Sequence, residues 1–281
     1  MKKIIFIIAI ALAFVLGIMI FMYMAEPVSK TTTNDLQSAP SISARQAILM
    51  DGKTGEVLYE KDADVQGYPA STTKIMTALV VLDICKAYDI DLQTELTVPK
   101  DAIGVEGSSI YLKPNEKRTI EHLLYGLMLR SGNDAATALA ICLGGNLDHF
   151  VDLMNETAAK LGCTGTNFLN PSGLFNENHY TTARDLATIA KKAMEYDTFR
   201  EIVGAKSWNT YYNKNKTVSQ YQGGSGIKIG YTEKSGRTLV ASATRDGTEL
   251  ICVVLNDGNW FNDAYALMDY GFSLKGVEKH E

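Results

Sequence analysis

The apolar positions fall into three regimes along the chain. Behind Met1-Lys2-Lys3, residues 4–24 are apolar or small and carry no charge. A bilayer core needs roughly 20 such residues, so the stretch predicts a transmembrane anchor. A cleaved secretory signal is the alternative, although signal cores usually run only about 7 to 15 residues. Tyr23-Met24-Ala25 is also a poor small-x-small cleavage site. On either reading Lys2 and Lys3 stay in the cytoplasm, and the remainder lies outside the cytoplasmic membrane or is secreted. Residues 26–43 are polar, Ser/Thr-rich and aperiodic, which predicts a tether.

From residue 44 to about 276 the pattern is that of a folded domain. Residues 45–50 and 56–60 flank Asp51-Gly52-Lys53-Thr54-Gly55, which reads as strand, turn, strand. Residues 238–244 and 248–255 flank Asp246-Gly247, a strong short-hairpin signal. Between them, residues 119–129, 148–161 and 182–194 repeat apolar positions with helical spacing. Strands at both ends around a helical middle predict an α+β fold. Its antiparallel sheet is closed by distant segments and flanked by helices, with a helical lobe inserted at about 85–204 and a cleft between the lobes. Residues 262–271 predict a closing helix on the sheet.

Composition narrows the function. The chain has 281 residues, 46% of them apolar, with 27 basic against 32 acidic side chains and a formal charge of −5. The basic footprint of a nucleic-acid binder is missing. Export permits disulfides, but Cys85, Cys142 and Cys252 sit in apolar runs, which predicts buried thiols. No Cys or His spacing fits a metal site, and no cofactor motif is present.

Chemistry concentrates in short polar islands. Pro69-Ala70-Ser71-Thr72-Thr73-Lys74 precedes an apolar helical run, so Ser71 and Lys74 share one face a turn apart. A serine hydroxyl needs a base to become a nucleophile, and a lysine among apolar neighbours or cations loses its proton more readily. In isolation such a pair is ordinarily an N-cap serine and a solvated lysine. Two further islands are Ser131-Gly132-Asn133-Asp134 at the end of a helical run and Lys228-Ile229-Gly230-Tyr231 opening a strand. Lys234-Ser235-Gly236 is a competing Lys-x-Gly, but its Ser-Gly sits where a turn is expected. Ser225 through Lys228 repeats Ser-x-x-Lys without a helix.

The ordered set Ser-x-x-Lys, Ser-x-Asn, Lys-x-Gly resembles the penicillin-recognising serine enzymes. With its flanks, and with Asn170-Pro171-Ser172-Gly173-Leu174, the chain from about 44 to 271 resembles the D-alanyl-D-alanine carboxypeptidase branch. That resemblance implies the β-lactamase/transpeptidase-like fold. It also implies a peptidoglycan stem peptide ending in D-Ala-D-Ala as substrate, and β-lactams as covalent inhibitors. It assigns Ser71 as nucleophile, Lys74 as base and Ser131 as proton relay. Asn133 and Lys228-Ile229-Gly230 would hold the substrate, and the backbone N–H groups of Ser71 and Tyr231 would form the oxyanion hole. The family usually has Thr or Ser where this chain has Ile229, and that hydroxyl helps to hold the terminal carboxylate. Arg237, on the next strand, is a candidate substitute, with an exposed arginine beside a turn as the alternative reading. Alternatives on the same residues are a D,D-endopeptidase, a β-lactamase, or a non-catalytic wall-binding or β-lactam-sensing module. The Glu-x-x-Leu-Asn segment of class A β-lactamases is absent, because the comparable region reads Phe168-Leu169-Asn170-Pro171. The four histidines predict no triad and are expected at the surface or in caps.

Overall fold

A computed structural model describes residues 38–277; the expected anchor and most of the expected tether lie outside them. Strands β1 (Gln46–Asp51) and β2 (Val57–Lys61) form the first hairpin. Its turn is held by Asp51, whose Oδ1 accepts the N–H groups of Lys53 and Thr54 at 2.9 and 2.8 Å. The 3₁₀ turn Ala70–Thr73 leads into α1 (Lys74–Ala87). The ribbon of β3 (Glu95–Thr97) and β4 (Lys117–Thr119) precedes α2 (Ile120–Tyr125), which widens into a π-helical turn at Gly126–Arg130. Helices α3 (Asn133–Gly144), α4 (Leu147–Lys160), α5 (Ala183–Ala193) and α6 (Asp197–Gly204) complete the lobe. A second ribbon, β5 (Ser207–Trp208) with β6 (Tyr211–Tyr212), and α7 (Thr217–Gln220) lead back to the sheet. The chain ends with β7 (Gly224–Thr232), β8 (Gly236–Arg245), β9 (Thr248–Leu255) and α8 (Trp260–Leu274).

The main sheet has the order β2-β1-β9-β8-β7 and is antiparallel throughout, so the N-terminal hairpin pairs with the C-terminal strands. Its two faces are both apolar because both are covered. Ile48 and Met50 of β1 and Ile251 and Val253 of β9 face the helical lobe. Their neighbours Ala47, Leu49, Leu250, Cys252 and Val254 face α8. The strand period of two thus builds two cores from one run of residues. The Asp246-Gly247 turn places both residues at positive φ, 46° and 77°, as a two-residue hairpin requires.

Three expectations need amendment. α3 and α6 were not anticipated: α3 is rich in Ala and largely buried, with little polar face to reveal its period, and α6 is only eight residues long. The aromatic-polar stretch 208–216, whose sequence alone reads as a solvated loop or as the lining of a glycan groove, instead packs. Trp208 stacks on Tyr125 at 4.4 Å, and Tyr211 hydroxyl meets His122 Nε2 at 2.8 Å. All four cysteines are free; three are buried and Cys142 is half-buried.

On the far face, Arg245 is buried between the rings of Tyr221 and Phe272, 4.6 and 4.5 Å from their centroids, and pairs with Asp269 at 3.0 Å. Phe272 therefore both fills the α8 core and covers a charge. We expect Phe272→Ala to lower unfolding free energy by about 3–5 kcal/mol in urea titrations, the range for a buried Phe; a loss below about 1 kcal/mol would contradict this packing role.

Candidate active site

Four segments meet at the cleft. Ser71 lies in the 3₁₀ turn and Lys74 at the first position of α1, so the turn brings both to one side. Lys74 is fully buried. Its Nζ lies 3.1 Å from Ser71 Oγ, 2.7 Å from Asn133 Oδ1 and 2.6 Å from Ser172 O. The Asn133 amide has its orientation fixed by Nδ2, which donates to Glu106 O. Both carbonyl partners can only accept. A neutral amine has two hydrogens and one lone pair; the two carbonyls take the hydrogens, and the lone pair is left for the Ser71 hydroxyl.

The protonation state follows from the surroundings. Burial first, then the Lys228 and Lys214 ammonium groups, push Lys74 well below the usual lysine range, against a smaller opposing pull from Asp134. Lys228 is also buried and is pushed down to about 7 by burial and then by Lys214.

Each partner is locally held. The π-helical turn ends with Ser131 at φ 64°, and Gly132 N–H returns to Gly126 O at 3.1 Å, which presents Ser131 at the mouth of α3. Ser131 Oγ is buried and has no hydrogen-bond partner among the described residues. Asp134 receives the N–H groups of Ile110, Leu112 and Ala135 and the Ser109 hydroxyl, fastening the loop before β4 over the helix start. Asn170 Oδ1 collects Ser172 N–H, Gly173 N–H and Leu174 N–H, a turn that aims Ser172 O at Lys74.

The opposite wall is β7. Lys228 pairs across the sheet with Val240 and faces the helical lobe. Ile229 pairs with Leu239 and packs in the α8 core. Gly230 lets β7 reach the nucleophile: a Cβ there would stand 2.8 Å from Ser71 N and 2.5 Å from Thr238 Oγ1. Gly173 is equally constrained, at φ 84° with a Cβ that would meet Ala70 O at 1.8 Å.

The sequence profile of the D-alanyl-D-alanine carboxypeptidase family (Peptidase S11) matches residues 33–259. The chain belongs to that family. Its relatives include the D-alanyl-D-alanine carboxypeptidase of Streptomyces sp. K15, 36% identical over 262 residues that cover 84% of this chain and 89% of the relative. Another is DacF of Bacillus subtilis, 35% identical over 222 residues, 75% of this chain but 57% of the relative. The chain thus spans little more than half the length of that protein. Among solved structures, the Streptomyces K15 DD-transpeptidase superposes with a TM-score of 0.79 at 35% identity, covering 84% of this chain and 99% of that one. The carboxypeptidase DacD of Francisella tularensis gives 0.78 at 28% identity, covering 84% and 72%. These structures carry the family's penicillin-binding fold, which the sequence resemblance implied.

Of the residues singled out in the sequence, Ser71, Lys74, Asn133, Lys228 and Gly230 converge on the cleft; Tyr231 is exposed at its rim. Arg237 is not drawn in with them. It pairs with Tyr231, beyond Gly230, donates weakly to Gly258 O and stands over Trp260. Lys234 is exposed in the β7–β8 turn, so the family's Lys-x-Gly strand is the one bearing Lys228.

Two contributors escaped the sequence reading. Lys214 is brought to the cleft by the folded-back β5–β6 segment, with Nζ 3.4 Å from Ser108 Oγ and a charge felt by both buried lysines. His179, expected at the surface, is buried behind the nucleophile. Its Nδ1 accepts Leu169 N–H at 3.1 Å, which leaves Nε2–H to donate to Thr73 Oγ1 at 2.9 Å. A histidine eight residues after Pro171 gives no motif to read.

Burial, then the nearby Lys74, lowers His179 to about 4 from 6.5. The unfolded chain therefore binds this proton more readily, and the stability that depends on neutral His179 is full above about pH 6.5 and is lost as pH falls toward 4. The loss amounts to about 3 kcal/mol. We expect His179→Gln to flatten the urea midpoint between pH 4 and 6.5; an unchanged slope would assign the acid sensitivity elsewhere.

Proposed function

We propose that this chain is a serine D-alanyl-D-alanine carboxypeptidase. In this reading residues 4–24 tether it to the cytoplasmic membrane, with the catalytic domain outside. The observation that carries the proposal is the Lys74 amine, buried between two carbonyl acceptors with its third position on Ser71 Oγ.

The reaction follows from that geometry. Ser71 Oγ attacks the carbonyl of the penultimate D-alanine while Lys74 Nζ takes its proton. The N–H groups of Ser71 and Tyr231 hold the oxyanion; donors of this kind contribute about 2.7–4 kcal/mol each in comparable enzymes. Ser131 Oγ, which has no other partner, gives its proton to the leaving amine and is re-protonated by the Lys74 ammonium, so terminal D-alanine departs and Lys74 is neutral again. Water, deprotonated by Lys74, then releases the acyl group and restores Ser71. The leaving carboxylate is held by cations rather than by a hydroxyl at position 229. Lys228 lies under it and Lys214 beside it, and an arriving carboxylate raises the Lys228 pKa again from about 7.

A carboxylate-based deacylating machinery of the β-lactamase kind is not supported. Among the described residues no acid hydrogen-bonds to Ser71 or Lys74, and Asn170 is occupied in shaping the Ser172 turn. D,D-endopeptidase action would use the same atoms on a cross-linked peptide.

With a fluorescent penicillin, the full chain should label covalently in the membrane fraction, and Ser71→Ala should abolish the label. Stoichiometric labelling of the variant would remove Ser71 from the mechanism. Mass spectrometry of muropeptides should show loss of one alanine from pentapeptides. Lys214→Ala should raise KM for carboxylate-terminated substrates. It should also move the acid limb of acylation to higher pH, because removing a neighbouring positive charge raises the Lys74 pKa. A limb that stays in place would contradict that coupling.

A further inference from the structure

The direction in which a peptide must lie in the cleft follows from the proposed function, and the rest of this inference depends on it. The C-terminal carboxylate sits at Lys228, and the scissile carbonyl sits between Ser71 and Tyr231. The acyl side of the substrate therefore continues along β7 past Tyr231, toward the β7–β8 turn. The two walls that flank the carbonyl continue in the same direction. Upstream of Ser71 the wall is Gln66, Gly67 and Tyr68, and downstream of Tyr231 it is Lys234 and Ser235.

Those extensions enclose a cavity of about 340 Å³, closed behind by Gln46, Leu255 and Asn256. No acidic residue lines it. Arg45 and Lys234 are exposed at its mouth, and neither forms an ion pair among the described residues; Glu233, next in the turn, is the nearest acid in sequence. Gln46 is 3% exposed, and its Oε1 is buried without a hydrogen-bond partner, while Nε2 only reaches Gln66 O at 3.5 Å. The cavity thus offers two uncompensated cations and an unfilled amide acceptor on the path of the acyl-side peptide.

We propose that this pocket is a specificity site for a carboxylate carried on the acyl side of the substrate. Arg45 and Lys234 receive the carboxylate, and Gln46 Oε1 accepts an adjoining peptide N–H. β7 ends at Thr232 and Lys234 lies in the turn just beyond it, so a carboxylate held there would belong to a residue a few positions upstream of the scissile bond. In a stem peptide, the free α-carboxylate of a γ-linked glutamate fits that description. An amidated stem lacks that charge and would lose the contact.

The test separates binding from turnover. In the full chain carrying Ser71→Ala, calorimetry compares L-Ala-γ-D-Glu-L-Lys-D-Ala-D-Ala with the same peptide amidated at the glutamate α-carboxyl. We expect the free acid to bind about fivefold tighter at low salt, from two partly exposed charge-assisted contacts. The preference should shrink at high salt and vanish when Arg45→Glu and Lys234→Glu are added, while Lys234→Arg retains it. Equal affinity of the two peptides, or a preference that survives both reversals, would overturn the proposal. Hydrolysis of diacetyl-L-Lys-D-Ala-D-Ala by the unsubstituted chain, a substrate with no acyl-side carboxylate, reports separately on the carboxypeptidase reading.

Discussion

Much of the cleft is arranged around one buried amine. A lysine at zero exposure is unfavourable unless its hydrogens are matched or its charge is given up, and here both occur. Two carbonyl oxygens from different segments, Asn133 and Ser172, take its hydrogens. Helix α1, the mouth of α3 and the Asn170 turn are thereby tied at one atom. Any of them moving by an ångström would leave a buried donor unmatched, which is why each has its own lock: Asp134 on the loop over α3, Asn170 on its turn, His179 behind the 3₁₀ turn.

The electrostatics reverse the impression given by the whole chain. A formal charge of −5 describes an acidic protein, yet Lys74, Lys228, Lys214 and Arg130 influence one another across a single slot, with Asp134 the acid among them. Crowding cations lowers the proton affinity of the innermost ones and at the same time makes a local well for an anion. The same arrangement therefore prepares a base and attracts a carboxylate, and it does so without the hydroxyl that Ile229 displaces.

The sheet and the cleft were legible because their signals are local. Alternating β-branched runs around Asp246-Gly247 and a helical middle fix the architecture, and Ser71 with Lys74 is read from the ordered set of three short motifs and the family resemblance that the set carries. What escaped was set by tertiary placement. Lys214 becomes a site residue only because Trp208 stacks on Tyr125 and folds its segment back toward the lobe. His179 is defined by two hydrogen bonds from distant backbone and side chain. Arg237 is close to Gly230 in sequence, but strand alternation and the lean toward Trp260 take its guanidinium out of the group around Lys74.

The nucleophile's turn is pinned to the sheet as well as to the helical lobe. Thr238 Oγ1 donates to Pro69 O at 3.1 Å, Gly67 exchanges backbone hydrogen bonds with Thr181, and Ala70 is held at φ 48°. These bonds span both walls of the slot, so its width is set when the chain folds and not when a ligand arrives. A flexible peptide must surrender its own conformational freedom to enter such a slot, at about 0.5–1.5 kcal/mol for each mobile side chain fixed. A compact ligand whose reactive carbonyl and carboxylate are already locked in a fused ring has little freedom left to lose. Rigidity that suits the protein to order a peptide thus also leaves it open to small cyclic mimics.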